Sequence, residues 1–420
     1  MLDIKFIREN PKLTEEKSKQ KGHEIDVVKL LKVDDTRRKL IEEIDKLRTS
    51  RKAAAEKRDE KEGQQIKKDL KEKENKLEKL HVDFYTLIRN IPNIPLADVP
   101  VGKDESGNVP IRKWGKPKEF DFKVKDYQEL GEDLNIIDTK TATKVSGPRF
   151  GYIMGELALL EFALAKFTLD LLTSAKEIQK ISKGAHVKPF IPVIPPIMIK
   201  PQVLDQMARL EPKEERYYIP KDDLYLIGSA EHTLGPIHMD QTLSEKDLPL
   251  RYVGFSTSLR REAGSYGKDT KGIFRVHQFN KMEIESFTLP KESAQEQDFI
   301  ISLQEYLMQQ LDIAYQVVMI CTGDMGAPDA RQIDIESWFP AQSRYRETHT
   351  SDHVSDYQAR RLNTKVMLKS GKTEYVHMND ATVFAQRLLL AILENYQQKD
   401  GTILVPQVLQ KYTNFSKIPA

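Results

Sequence analysis

Between Asp34 and Ile91 the apolar residues step by four and three, a period that a helix buries along one seam. Leu40, Ile44, Leu47, Arg51, Ala54 and Arg58 form the first half of the seam. Ile66, Leu70, Lys73, Leu77, Leu80, Phe84, Leu87 and Ile91 form the second. The pattern predicts two long helices with a turn at Gly63, an N-cap at Asp34-Asp35, and a stop at Pro92 and Pro95. Each helix of roughly 26 residues would reach about 40 Å at about 1.5 Å per residue. The expected product is an antiparallel coiled-coil arm over about residues 34–91.

In the distal half of that arm basic residues outnumber acids, with Arg48, Arg51, Lys52, Lys57, Arg58, Lys67 and Lys68 among them. Arg51, Arg58 and Lys73 even hold seam positions, where apolar residues would stabilise more. A solvated helical hairpin also carries mixed charge. A lever lying on a nucleic acid backbone would instead use these cations to neutralise phosphates.

The chain has 420 residues and a formal net charge of +2, so charge alone names no partner, and the length fits two or three domains. One cysteine, Cys321, excludes a disulfide framework and multi-cysteine zinc sites. It follows Val317-Val318-Met319-Ile320 and is expected to pack in the core. No apolar run approaches the roughly 20 residues that span a bilayer. The start, Met1 to Pro11, is too polar for a signal peptide and too acidic for a transit peptide, so a soluble, cytoplasmic protein is expected.

Residues 92–118 are rich in Pro and Gly and read as a linker, after which helices and short strands alternate. Gly155 to Lys176 reads as a core helix, and Pro189 to Ile199, with three further prolines, as an extended edge or bulged strand. Arg387 to Tyr396 reads as a late helix.

A hairpin carries the chemistry. Alternation puts Arg260 and Glu262 on one face of a first strand, and Phe279, Lys281 and Glu283 on one face of a second. Together they offer a guanidinium for phosphate, a ring for a base, and carboxylates for amine or hydroxyl donors. The residues alone leave two readings open, a nucleotide-plus-amino-acid site and a surface hairpin laced with salt bridges.

The hairpin, the Pro-bearing strand before it and the Arg-bearing helix after it resemble motifs 2, 1 and 3 of class II aminoacyl-tRNA synthetases. Further segments resemble the bacterial-type seryl-tRNA synthetase family: Met1 to Lys5, the arm, Ser146 to Phe150, Ser229-Ala230-Glu231, Gly323 to Gly326, Asp356 to Arg361, and Ala391 to Gln397. The resemblance runs from Met1 to about Tyr412. It implies an α+β fold: an N-terminal tRNA-binding domain with the coiled-coil arm over 1–110, then a class II catalytic domain over 111–420, an antiparallel sheet flanked by helices. The implied activity is ATP-dependent attachment of L-serine to tRNA(Ser) through seryl-adenylate, by a homodimer, with service to tRNA(Sec) left open.

The same resemblance implies the site residues. Arg260 binds the ATP α-phosphate, Glu262 the adenine side, and Phe279 stacks on the base. Arg387 covers the base and reaches the γ-phosphate, while Arg275 is a second phosphate contact. Arg261, Val276, Thr348 and His349 fall in the ATP-binding segments, His349 without a catalytic role. Glu347 ligates Mg²⁺ with Thr350 beside it, and no zinc is expected. Ser229, Ala230, Glu231, Glu283 and Ala381 make the serine pocket, Glu231 taking the ammonium and Glu283 the hydroxyl. Arg260, Glu283 and Arg387 carry the catalysis.

This chain departs from the family pattern in places. Ser229 stands where threonine is usual. Asn379 to Arg387 reads Asn-Asp-Ala-Thr-Val-Phe-Ala-Gln-Arg against the common Asn-Gly-Ser-Gly-Leu-Ala-x-Gly-Arg. Ala381 thus sits at the place of a serine-contacting hydroxyl, and whether Thr382 replaces it is open. The altered motif leaves room for a paralogue that loads a carrier protein, which the intact arm opposes. A non-catalytic RNA-binding protein is opposed by the full set Arg260, Glu283, Glu347 and Arg387.

Overall fold

The computed structural model describes residues 1–56, 59–182, 187–263 and 272–419. Lys57 and Arg58 of the expected tRNA contacts, and 264–269 of the expected hairpin turn, lie outside the described residues. The chain forms two compact units, Met1–Pro95 and Leu96–Ala420.

The first unit opens with short helices Ile4–Glu9 and Pro11–Gln20, then pairs two long ones, α1 (Val27–Glu56) and α2 (Glu60–Arg89). Leu40, Ile44, Ala54, Ile66 and Leu70 are buried between them, flanked by Leu47, Leu77 and Leu80, as the stepping predicts. The ends differ from expectation. α1 starts seven residues before Asp34, with the Asp26 carboxylate accepting the Lys29 N–H at 2.7 Å. Asp34 is instead a buried mid-helix carboxylate held by Arg8 at 2.6 Å and Arg37 at 2.7 Å. Asp59 caps α2 by accepting the Glu62 N–H at 3.0 Å, so Gly63 lies within the helix rather than in a turn. A glycine inside a helix costs only about 1 kcal/mol against alanine, too little to break so long a seam. Arg51, assigned to the seam, is exposed, and Lys73 swings out to Glu43 at 2.6 Å.

The second unit is built on an eight-stranded sheet. Its strands in chain order are β1 (Val109–Trp114), β2 (Ile191–Val193), β3 (Leu250–Leu259), β4 (Gln278–Thr288), β5 (Tyr315–Met319), β6 (Arg331–Phe339), β7 (Arg344–Ser355) and β8 (His377–Ala385). Their spatial order is β1-β5-β6-β7-β8-β4-β3-β2, antiparallel except for the β2–β3 pair. β1 closes one edge, so part of the expected linker is a sheet strand. β2, with Pro192, closes the other edge, where a missing N–H does least harm. Helices α3 (Gly155–Thr173), α4 (Ser293–Gln310) and α5 (Gln386–Tyr396) pack their apolar faces with the sheet in one large core. Cys321 is buried, as expected.

Two bulges set which side chains share a face. Between β6 and β7 the register shifts so that Ile335 faces His349 while Glu336 faces Glu347, leaving Thr348 unpaired. Between β4 and β8, Glu283 faces Thr382 while Met282 faces Phe384, leaving Val383 unpaired. An extra residue reverses the alternation beyond it. Buried Gln304 on α4 donates to the carbonyls of Thr350 at 2.9 Å and Thr382 at 2.7 Å, fastening the two bulged strands from behind. Among the described residues no helix is long and apolar enough to cross a membrane.

Candidate active site

A cavity of ≈ 540 Å³ opens on the sheet face formed by β4, β7 and β8. β4 contributes Phe279, Lys281 and Glu283 by plain alternation. On β7 the bulge at Thr348 brings Glu347 to the same side as Thr350 and Asp352. On β8 the cavity takes Asp380, Thr382 and, past the bulge at Val383, Ala385, followed by Gln386 and Arg387 at the start of α5. The segments around Arg209–Arg216, Ser229–His232 and Ile273–Val276, with Arg260 and Glu262, complete the described walls.

One end gathers cations. Arg260 donates from Nε to the Gly228 carbonyl at 3.0 Å, and its guanidinium lies 5.4 Å from the centre of the Phe279 ring. Arg275 donates to Glu262 at 3.0 Å, and Arg387 pairs with Glu347 at 2.9 Å while covering the Phe274 ring. Burial lowers Arg260 from the usual guanidinium range, Arg387 adding to this against the pull of Glu262. Burial and Arg260 bring Lys281 down to about 8. Desolvation pushes Glu347 up, but Arg387 and Arg260 outweigh it and leave it low. Such a crowd of guanidinia fits a polyanion.

The other end is acidic and hydroxylic. Ser229 Oγ donates to Glu283 Oε1 at 3.0 Å, and Thr382 Oγ1 to the same oxygen at 3.3 Å. Lys281 forms an ion pair with Glu283. Arg209 donates from Nε to Glu231 Oε1 at 2.5 Å. Burial pushes Glu231 up, yet Arg209, His232 and Lys281 leave it at about 2. His232 is driven down to about 3 by burial and accepts the Gly228 N–H at Nδ1. Carboxylates with hydroxyls beside them suit a small ligand bearing an ammonium and an alcohol.

Comparison with known proteins gives the family. The family model for the seryl-tRNA synthetase N-terminal domain matches residues 1–95, and that for the tRNA synthetase class II core domain (G, H, P, S and T) matches residues 215–396. The serine–tRNA ligase of Pyrococcus horikoshii is 41% identical over 459 residues, spanning 100% of this chain and 97% of that one. The chain belongs to the seryl-tRNA synthetase family. Among solved structures, P. horikoshii seryl-tRNA synthetase complexed with ATP superposes with a TM-score of 0.89 at 40% identity, covering 100% of both chains. Cytoplasmic serine–tRNA ligase from Naegleria fowleri, in complex with AMP, gives 0.87 at 31%, covering 100% of this chain and 99% of that one.

Of the residues that the seryl-tRNA synthetase motifs single out, the cavity brings together Ser229, Glu231, Arg260, Glu262, Arg275, Val276, Phe279, Glu283, Glu347, Thr348, Thr350 and Arg387. It leaves out four. Ala230 is buried in a smaller apolar cluster with Met207, Leu234 and Tyr252, and Arg261 points outward, 5.5 Å from the Tyr217 ring. His349 falls on the far side of β7 because the bulge reverses the alternation after Thr348. Burial drives it down to about 3. Ala381 pairs with Ile284 and Ser351 and packs in the main core, and Thr382 takes the place on the cavity wall. Arg260 and Glu262 also lie past the end of β3 rather than on it; Glu262 has φ 51°, which turns the chain back toward Arg275.

Sequence reasoning missed Arg209, Arg216, His232, Phe274, Asp352 and Asp380, all on the cavity wall. Asp352 was within reach of it, two residues past Thr350 on an alternating strand. Arg209 and Arg216 sit in irregular chain, where no period marks them.

Proposed function

We propose that the protein activates L-serine with ATP and passes the seryl group to tRNA(Ser). The carrying observation is the division of one cavity into a guanidinium end (Arg216, Arg260, Arg275, Arg387) and a carboxylate-hydroxyl end (Ser229, Glu231, Glu283, Thr382). Family membership over the whole length supports the same reaction. In the first step the serine carboxylate attacks the α-phosphorus in line and pyrophosphate leaves. Arg260 stabilises the charge that builds on the phosphate, Phe279 and Glu262 hold the adenine, and Arg387 holds the γ-phosphate. Glu231 accepts the ammonium. Glu283, kept in place by Ser229 and Thr382, accepts the serine hydroxyl, so alanine leaves it one donor short. In the second step the 3′ hydroxyl of the tRNA attacks the acyl carbon and AMP leaves. Positioning and charge stabilisation carry both steps without an enzyme nucleophile.

Glu347 and Thr350 offer hard oxygen donors on the cavity wall and would hold Mg²⁺, which when bound offsets charge on pyrophosphate. Among the described residues no group of three or more His, Cys, Asp or Glu gathers to hold a metal. Exposed Arg48, Arg51, Lys52, Lys67 and Lys68 would lie on the tRNA backbone, and Lys57 and Arg58, which are outside the described residues, belong to the same reading by sequence alone.

A homodimer is supported by apolar surface on the motif 1 elements: Leu159 and Phe162 of α3 are 52% and 66% exposed, and Ile194 after β2 is 94% exposed. A strictly monomeric species in sedimentation at working concentration would overturn it. ATP–pyrophosphate exchange with serine, alanine, threonine and glycine tests the activity, and serine alone should support it. No exchange with any of them sinks the activation step; exchange without charging of tRNA(Ser) sinks the acceptor.

A further inference from the structure

Four carboxylates crowd one buried guanidinium at the acidic end of the cavity. Arg209 meets Glu231 at 2.5 Å, whereas Asp329, Asp352 and Asp380 stand off at 3.5, 3.6 and 3.9 Å. The Arg209 backbone is anchored as well, its carbonyl accepting Arg216 Nε at 3.0 Å, and Gly326 leaves room for the guanidinium, since a Cβ there would stand 3.2 Å from Arg209 Nη1. Asp352 and Asp380 line the cavity, are more than nine-tenths buried, and each keeps one oxygen with no hydrogen-bond partner. One arginine cannot ionise four acids at such spacing, because each further negative charge repels the rest in a medium that screens poorly. Geometry decides which acid it serves.

We propose that Arg209 is a positioning residue for the amino-acid end: it selects Glu231, out of the surrounding acids, as the fixed and ionised carboxylate that receives the substrate ammonium. The proposal rests on the reading of Glu231 as ammonium acceptor. The neighbours agree with it. Burial raises Asp352 and Asp380 well above the carboxylate range, as it does Glu285, whose two oxygens have no partner. Burial works against the charge on these acids, whereas Glu231, in contact with Arg209, is held low. The groups facing Glu231 are His232 on its own helix, Arg209 and Arg216 from the preceding segment, Lys281 and Glu285 from β4, Asp380 from β8 and Asp352 from β7. Arg260 also faces it, from the end of β3. His232 is neutral at ordinary pH, and Lys281 is committed to Glu283. Arg209 is therefore the cation in contact with Glu231 that survives neutral pH unshared with the hydroxyl pocket.

The test is ATP–pyrophosphate exchange by the full-length protein over mildly acidic to neutral pH, with Arg209→Gln, Arg209→Lys and Glu231→Gln. Removing the guanidinium lets the Glu231 pKa rise, so serine binding should fail at a higher pH than in the parent. In Arg209→Gln the serine KM should rise about tenfold or more, the scale of a lost charge-assisted contact, while the ATP KM stays put. Arg209→Lys should return the acid limb of the profile toward its parent position. An acid limb that does not move in Arg209→Gln, or an ATP KM that climbs in step with that of serine, overturns the proposal. If Glu231→Gln leaves the serine KM unchanged, the ammonium reading itself falls; if only Glu231→Gln raises it, the role of Arg209 falls alone. Should Arg209→Gln not fold, the triple variant with Asp352→Asn and Asp380→Asn removes the excess acid with the cation. Compared with the two Asn changes alone, it must show the same shift of the acid limb, and an unshifted limb overturns the proposal.

Discussion

In the arm, Lys73 reaches Glu43 at 2.6 Å and both stay open to water. In the catalytic unit, Arg251 and Glu296 make the same kind of contact sealed from it, at 2.6 and 2.7 Å, with Ser286 donating to one carboxylate oxygen and the Lys188 carbonyl accepting from the guanidinium. Equal distances conceal unequal consequences. The exposed pair exchanges one set of solvated partners for another, so its charges remain available to a ligand. The buried pair has given up its water, and each partner is held in place by what the other would suffer alone. The arm therefore leaves its charge open to solvent, and the catalytic unit commits much of its charge to its own geometry.

The sharpest way to break this contrast is to remove the arm. Deleting Lys46–Lys76 should abolish charging of tRNA(Ser) while ATP–pyrophosphate exchange stays within about twofold, the size of effect expected where no contact to the reacting groups is lost. Charging that survived would mean that the arm's cations are not the tRNA determinant. Next comes Glu296→Ala, which strands the Arg251 guanidinium inside the core. It should cost about 3–5 kcal/mol in denaturant unfolding, and a loss below about 1 kcal/mol would show that the site takes up water freely. Within the cavity, Thr382→Val keeps the shape and removes the hydroxyl. It should cut the preference for serine over alanine in exchange by about tenfold, with Thr382→Ser restoring it. An unchanged preference would leave Ser229 and Glu283 as the whole hydroxyl site. Last, Lys73→Ala should leave the melting temperature where it was, and a clear drop would mean that the exposed pair is structural after all.

The arm was the most legible part of the sequence because a helical seam repeats and a single glycine cannot interrupt it. Its ends were misread for the same reason: Asp34-Asp35 and Gly63 look like punctuation, but Asp26 and Asp59 supply the caps. In the catalytic unit, Arg260, Phe279, Glu283 and Arg387 were recognisable by motif, and their meeting in one cavity follows from the sheet order. Ala381 and His349 went astray because their positions depend on bulges that no local pattern announces. Arg209 was invisible. It lies in chain without periodicity, and its importance comes from Glu231, Asp329, Asp352 and Asp380, which converge on it from four separate stretches.

The unpaired Thr348 and Val383 have a consequence for how such chains change over time. Each acts as a phase marker, fixing which of two interleaved sets of residues meets substrate and which meets the core. A one-residue insertion or deletion between a marker and the end of its strand would exchange the two sets at a stroke, sending core residues into the cavity and cavity residues into the core. Point substitutions on these strands can accordingly be sampled one at a time, as at Asp380 and Thr382, while changes of length cannot. Diversity in the substrate pocket is thus confined to changes of letter within a fixed count.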